Sequence, residues 1–172
     1  MLADSLSRVR DYKPQAQKSR TEKLLQSVAQ TRLGGRLFIT VFPAIDRRLM
    51  PLTRGRLSTG LGQPIVLLHV RGARSGRHRT VPLLATKTGD TVLLVASKAG
   101  AVKHPAWYHN VRANPVIEVT IDGQRRPMRA EIAEGEERER LWTIVCDNYS
   151  GYATYQRRAG GRVIPVVALR AP

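Results

Sequence analysis

Between Gly72 and Pro115 the chain reads GARSGRHRTVPLLATKTGDTVLLVASKAGAVKHPAWYHNVRANP. Its centre decides the fold. Arg79 to Lys87 and Thr91 to Ala96 are short runs rich in Val, Leu and Thr. Thr88-Gly89-Asp90 joins them as a tight turn, in which glycine takes positive φ without steric cost. The pattern recurs downstream, where Val116 to Ile121 and Arg125 to Ile132 bracket Asp122-Gly123. Ile65 to Val70 and Val163 to Leu169 are two further candidate strands. A helix is expected over roughly His104 to Ala113, with Pro105 suited to its first turn. Another runs from about Glu136 to Tyr149, where Leu141, Val145 and Tyr149 repeat at four-residue steps on one face. Successive hairpins with helices at the side predict an α+β fold, a small barrel of mostly antiparallel strands rather than a doubly wound sheet.

Upstream of Gly62 the period changes. Thr21 to Gln30 and Gly35 to Leu49 read as helices, with Pro14, Pro43 and Pro51 as breakers. The division expected is a basic, mostly helical extension over residues 1–61 and a barrel domain over residues 62–172 of the 172-residue chain. The formal net charge is +16, about half of it before Leu61, so the partners sought are anionic. The N-terminus has no apolar run of a secretory signal, and the stretch from Leu37 to Ile45 is too short to span a bilayer. Leu33, Leu37, Phe38, Ile39, Val41 and Phe42 among basic residues suit either a helix packed on the barrel or one lying at a lipid surface. One cysteine excludes an internal disulfide and fits a reducing cytoplasm. Cys146, in an apolar helical run, reads as packing rather than as a nucleophile.

Several chemistries find no support. Gly60-Leu61-Gly62 lacks the third glycine of a dinucleotide loop, and Gly72 to Gly76 lacks the Gly-Lys-Ser/Thr of a Walker loop. His69, His78, His104 and His109 show no metal-ligand spacing, so no metal is expected. The Glu134 to Glu139 run is read as a helix start, where the dipole favours negative charge. What remains is a basic, glycine-punctuated surface. In Arg74-Ser75-Gly76-Arg77-His78-Arg79-Thr80, guanidinium forks alternate with hydroxyls and backbone N–H groups, a set that grips phosphate or carboxylate. Ser97-Lys98 closes the next strand beside it, and Trp107 either walls a cofactor slot or pins its helix to the barrel. Tyr149, Tyr152 and Tyr155 share a face if their segment is helical, although Gly151 weakens that helix.

These motifs together resemble the deazaflavin-dependent nitroreductase and quinone reductase proteins of the split-barrel flavoprotein superfamily. The resemblance covers about three-fifths of the chain, from Ile65 to Leu169. It is carried by Gly72 to Gly76, Arg79 to Leu83, Ala96 to Gly100, His104 to Asn110, Ala113 to Pro115, Tyr149 to Gln156 and Ile164 to Val167, in order and at similar spacing. It implies a split β-barrel like those that bind FMN, here binding coenzyme F420, an 8-hydroxy-5-deazaflavin with a polyanionic tail. By family position, Arg74, Ser75, Gly76, Arg79 and Thr80 would hold the phosphate and tail. Pro82, Leu83, Ala96, Ser97, Lys98, Trp107 and Asn110 would frame the ring. Tyr152 would face the reactive side, with Tyr155 and Ser97 near it.

The reaction so implied is hydride transfer from the reduced deazaflavin to a quinone, enone or nitro-type acceptor, with Tyr152, Ser97 or water supplying the proton. Leu84 stands where family members that reduce nitro compounds carry a tyrosine, and Val81 replaces a polar residue, so a quinone or other conjugated carbonyl is the preferred acceptor. A cytoplasmic enzyme is expected, in peripheral contact with the inner face of the membrane through its basic N-terminus. The rival readings are a split barrel that binds FMN or haem, and a non-catalytic module for nucleic acid or membrane. Few aromatics, clustered after Trp107 while half the charge precedes Leu61, disfavour nucleic acid.

Overall fold

Short β-branched runs punctuated by tight turns close into a barrel. The computed structural model describes residues 17–21 and 64–172. The helices expected over Thr21 to Gln30 and Gly35 to Leu49, and the boundary between residues 61 and 62, lie outside the described residues. The strands are β1 (Ile65–Arg71), β2 (His78–Thr88), β3 (Thr91–Val95), β4 (Val116–Ile121), β5 (Gln124–Ile132) and β6 (Val166–Arg170). Three helices accompany them, α1 (Ala106–Ala113), α2 (Gly135–Asn148) and α3 (Gly151–Arg158). The order around the barrel is β1-β2-β3-β6-β5-β4, closed by β4 pairing with β1. Every pairing is antiparallel.

The hairpin turns explain the register. Ile121 pairs with Gln124 across Asp122 and Gly123, which take φ of 49° and 77°. Positive φ at both central residues matches the twist of the flanking strands, as Asp-Gly predicts. Thr88 pairs with Thr91 across the Gly89-Asp90 turn. Both hairpin turns therefore lie at one end of the barrel. The β1–β2 connection, the exit from β3 and the entries to β4 and β6 lie at the other.

Side chains divide into two cores. Val66, Leu68, Val70, Leu94, Val119, Ile121 and Leu169 fill the barrel, and Trp107, Tyr108 and Val111 of α1 pack into that same cluster. On the outside of β3 and β6, Leu93, Val166 and Ala168 meet Leu141, Val145 and the tyrosines of α2 and α3. β3 and β6 are thus covered on both faces, which is why Thr91–Val95 and Val166–Arg170 show no alternation. Within the outer core, Asn148 Nδ2 donates to Thr86 Oγ1 at 2.9 Å, and both residues are buried. Cys146 is half-buried against this core, and burial pushes its thiol up to about 11, as packing rather than reactivity requires.

Most boundaries shift by a residue or two, and two departures from the sequence reading have a clear cause. β6 starts at Val166, not Val163, because Pro165 has no N–H and the Ile164 N–H donates instead to Gln156 Oε1 at 2.8 Å. Gly151 does not weaken a helix; it begins one. α2 stops where Tyr149 turns extended (φ −140°, ψ 100°), and the Tyr149 ring then crosses Gly151 so closely that a Cβ would lie 2.3 Å from it.

Candidate functional site

Two turns and one helix meet at the end of the barrel away from the hairpins. In the first turn, between β1 and β2, the Gly72 N–H donates to the Arg77 carbonyl at 2.9 Å and the Gly76 N–H to the Gly72 carbonyl at 2.8 Å. Arg71 Nε donates to the Gly76 carbonyl at 3.2 Å. With the backbone folded on itself, Arg74, Ser75, Arg77 and Arg79 stand exposed. Asn110 of α1 fastens this turn to the barrel mouth, its Oδ1 accepting from the Ala73 N–H at 3.0 Å. Thr80 is held differently. Its hydroxyl lies 3.1 Å from His69 Nδ1, and His69 Nε2 lies 2.8 Å from the Thr120 hydroxyl, a polar ladder across β2, β1 and β4.

The second turn follows β3. Ser97 is right-handed (φ −71°, ψ −44°), and Lys98, Ala99 and Gly100 follow with φ of 48°, 50° and 80°. Such a right-to-left sequence makes a backbone nest, whose N–H groups suit an anion. Holding Lys98 and Ala99 left-handed costs roughly 1–2 kcal/mol each. The Gly100 and Ala101 N–H groups bond back to the carbonyls of Ser97 (3.0 Å) and Lys98 (3.1 Å).

Arg162 supplies most of the rest. Its Nε and Nη2 donate to the Ala101 carbonyl at 3.0 and 2.7 Å, and Nη2 also to the Ser97 carbonyl at 2.9 Å. Nη1 donates to the Ala96 carbonyl at 3.1 Å and to His104 Nδ1 at 3.0 Å. Charge-assisted bonds are worth about 1.5–3 kcal/mol each, enough to offset the strain of the turn. Sequence reasoning missed Arg162, because no local spacing shows that an arginine reaches residues 61 to 66 positions earlier. The one signal was its place just ahead of Ile164-Pro165.

His104 completes the connection. Accepting from Arg162 requires Nδ1 to be unprotonated, so the ring is neutral with its proton on Nε2. Burial, then the positive charges of Arg162, His109 and Arg112, hold its pKa below the ordinary histidine value. A lowered value contributes stability above the unfolded-state pKa of about 6.5, lost as pH falls through the folded-state pKa. The His104 ring also packs on Tyr108 of α1 at 4.7 Å.

The structure gathers the expected anion-binding residues at this end but turns several others inward. Leu83 packs toward the barrel core whereas Pro82 is on the opposite face of β2, as the period of two requires. Ala96 and Trp107 are also in the barrel core, where Trp107 pins α1. Ser97 is buried and Lys98 exposed. Tyr152 and Tyr155, expected at the reactive side, lie only 4% and 5% exposed in the outer core, with the Tyr149 and Tyr155 hydroxyls 3.1 Å apart. Burial raises the pKa of all three phenols, with the neighbouring tyrosines adding to the effect at Tyr149 and Tyr152. A shallow groove at the start of α2 carries Glu134, Glu136 and Glu139, the wrong sign for an anion.

A family model for F420H(2)-dependent quinone reductase matches residues 45–171. An F420H(2)-dependent quinone reductase of Mycobacterium tuberculosis strain H37Rv is 38% identical over 122 residues, covering 68% of this chain and 81% of that protein. The solved structure of an F420-H2 dependent reductase (FDR-A) aligns with a TM-score of 0.57 at 42% identity, over 62% of this chain and 94% of that one. A second, a domain-swapped dimer, aligns with a TM-score of 0.58 at 36% identity, over 74% of this chain and 98% of the other.

Proposed function

This chain belongs to the F420H(2)-dependent quinone reductase family, and from that we propose that its two basic turns hold reduced coenzyme F420 for hydride transfer to a quinone. It is a deazaflavin-dependent oxidoreductase with coenzyme F420 as its cofactor. The observation that carries the placement is the continuity of the site. Asn110 joins the first turn to α1, and His104, at the start of α1, joins it through Arg162 to the second.

The residues present fit the group. Arg74 and Arg79 offer exposed guanidinium forks and Ser75 a hydroxyl, a donor set for a phosphate and a carboxylate tail, whereas the Thr80 hydroxyl, on the other face of β2, is engaged by His69 and supports the strand from behind. The nest at Ser97–Gly100, with Lys98 exposed beside it, adds a second anion-receiving surface. Bound there, the coenzyme supplies a two-electron hydride, and the protein contributes orientation and charge. Trp107 and Leu83 act from behind, filling the barrel so that the turns rest on a rigid plug. Asn110 positions the first turn, and the Ala96 carbonyl anchors the second.

For the balancing proton, Ser97 lies on the turn itself, whereas Tyr152 and Tyr155 are enclosed. Raised pKa values keep the phenols protonated at neutral pH, so in a catalytic role they would donate rather than accept. Titration of the purified protein with coenzyme F420, and separately with FMN, at two salt concentrations tests the placement. We expect tight, salt-sensitive binding of the deazaflavin and weak binding of FMN. Preference for FMN would keep the fold and replace the cofactor, and binding of neither would overturn the reading.

The acceptor preferred is a quinone. No described helix is long and apolar enough to cross a membrane. Residues 1–61, with about half the net charge, are proposed to meet anionic lipid and so bring the site to a lipid-soluble acceptor. Flotation with anionic but not with neutral vesicles is the expected result; equal behaviour with both would remove this part.

A further inference from the structure

We propose that Arg162 is a positioning residue of the coenzyme site, setting the Ser97–Ala101 turn through its carbonyls, and that it does so fully only while His104 is neutral. The inference rests on the placement of the deazaflavin at these turns. Residues 98–100, all at positive φ, are enclosed between carbonyls that converge on one guanidinium. A trans peptide sets its N–H opposite its carbonyl. Drawing the Ala96 and Ser97 carbonyls toward Arg162 therefore turns the Ser97 and Lys98 N–H groups away from it, leaving them for a ligand. Arg162 acts on the carbonyl side of the turn, through its backbone.

The planar fork is what makes this position specific. Three nitrogens reach three carbonyls and an imidazole at once, whereas a lysine brings a single nitrogen. Among the described residues no carboxylate forms an ion pair with Arg162. His104 Nδ1 is the remaining acceptor, and it exists only in the neutral ring. The charged or titratable groups facing His104 are Arg162 from the segment ahead of β6, and His109 and Arg112 from α1, with Tyr108 stacked on the ring. Every charge among them is positive. Protonation of His104 both removes an acceptor and sets a cation against Nη1, so the fork must shift off the carbonyls it holds.

The test is coenzyme F420 binding, followed by ligand fluorescence between about pH 4.5 and 8, a window carried well below the ordinary histidine value of about 6.5 because that of His104 is lowered. Wild type, Arg162→Lys and His104→Asn are compared, with melting temperature recorded for each. Asparagine places Oδ1 where Nδ1 stood and accepts at every pH. We expect Arg162→Lys to weaken binding about tenfold or more at pH 8, the scale of a lost charge-assisted bond, and to raise KM for the reduced coenzyme more than it lowers kcat. Wild-type affinity should fall on acidification relative to His104→Asn. The coenzyme's own 8-hydroxyl titrates alike in both, so the difference belongs to the protein. Arg162→Lys with a lower melting temperature and wild-type affinity would make the residue merely structural and overturn the proposal. Superimposable pH profiles for wild type and His104→Asn would overturn the coupling, and they decide it alone if Arg162→Lys does not fold. Wild type that binds no coenzyme F420 would instead remove the cofactor placement on which the inference rests.

Discussion

Gly100→Ala is expected to lower the melting temperature by about 10 °C and to abolish tight coenzyme binding. The magnitude follows from two independent costs. Gly100 has φ of 80°, and a left-handed conformation costs an L residue roughly 1–2 kcal/mol. The added methyl would also lie 2.6 Å from the Tyr155 carbonyl oxygen and 2.8 Å from Arg158 Cβ. Neither is the tip of a flexible chain. Both belong to α3, whose place is set by the outer core, and overpacking of this kind costs roughly 1–3 kcal/mol. The sum is about 3 kcal/mol, and for a domain of this size each kcal/mol moves the midpoint by roughly 2–4 °C. Relief can come only by pushing the turn away from α3, which breaks the bonds from Arg162. Thermal denaturation and coenzyme titration of the same sample check both halves; a wild-type midpoint would show that the turn and α3 are not in contact.

The second large effect is electrostatic. Arg74→Ala combined with Arg79→Ala should raise the coenzyme dissociation constant by roughly 100- to 1000-fold, two charge-assisted contacts of at least about 1.5 kcal/mol each. Both side chains are exposed, so the melting temperature should stay nearly constant. The salt dependence of binding should flatten in parallel, since fewer charges then meet the tail. Lysine at both positions should recover part of the affinity, keeping charge without the fork. Unchanged affinity in the double variant would move the anionic tail to other cations, Arg77 of the same turn and Lys98 of the turn after β3.

The barrel was legible because its information is local. Gly89-Asp90 and Asp122-Gly123 state the hairpins outright, and the four-residue recurrence of Leu141 and Val145 states the face of α2. The same locality limited the site. Periodicity placed Tyr152 and Tyr155 on one face but said nothing of what covers it, and that face meets β3 and β6. Trp107 read equally as wall or as anchor, and only three-dimensional packing shows that it anchors α1. Alternation along β2 was visible, and Pro82 and Leu83, set at one ring by the resemblance, face opposite ways as it requires. Arg162 was beyond reach because its partners are backbone carbonyls, which every residue carries and no composition distinguishes.

The double covering of β3 raises a problem of alignment that the fold has to solve. In a strand with one dry and one wet face, sliding by a single residue against its neighbour exposes the apolar set, and that penalty holds it in place. Thr91–Val95 has no such penalty, because Leu93 and Leu94 could exchange cores and both stay dry. The alignment must then come from the short Gly89-Asp90 connection, which fixes Thr88 opposite Thr91 and so Thr86 opposite Leu93. Asn148 of α2, bonded at 2.9 Å to Thr86, then sets the helix against β2. The turn after β3 inherits its starting point from the Gly89-Asp90 connection, so the placing of Ser97–Gly100 begins with two residues at the opposite end of the barrel.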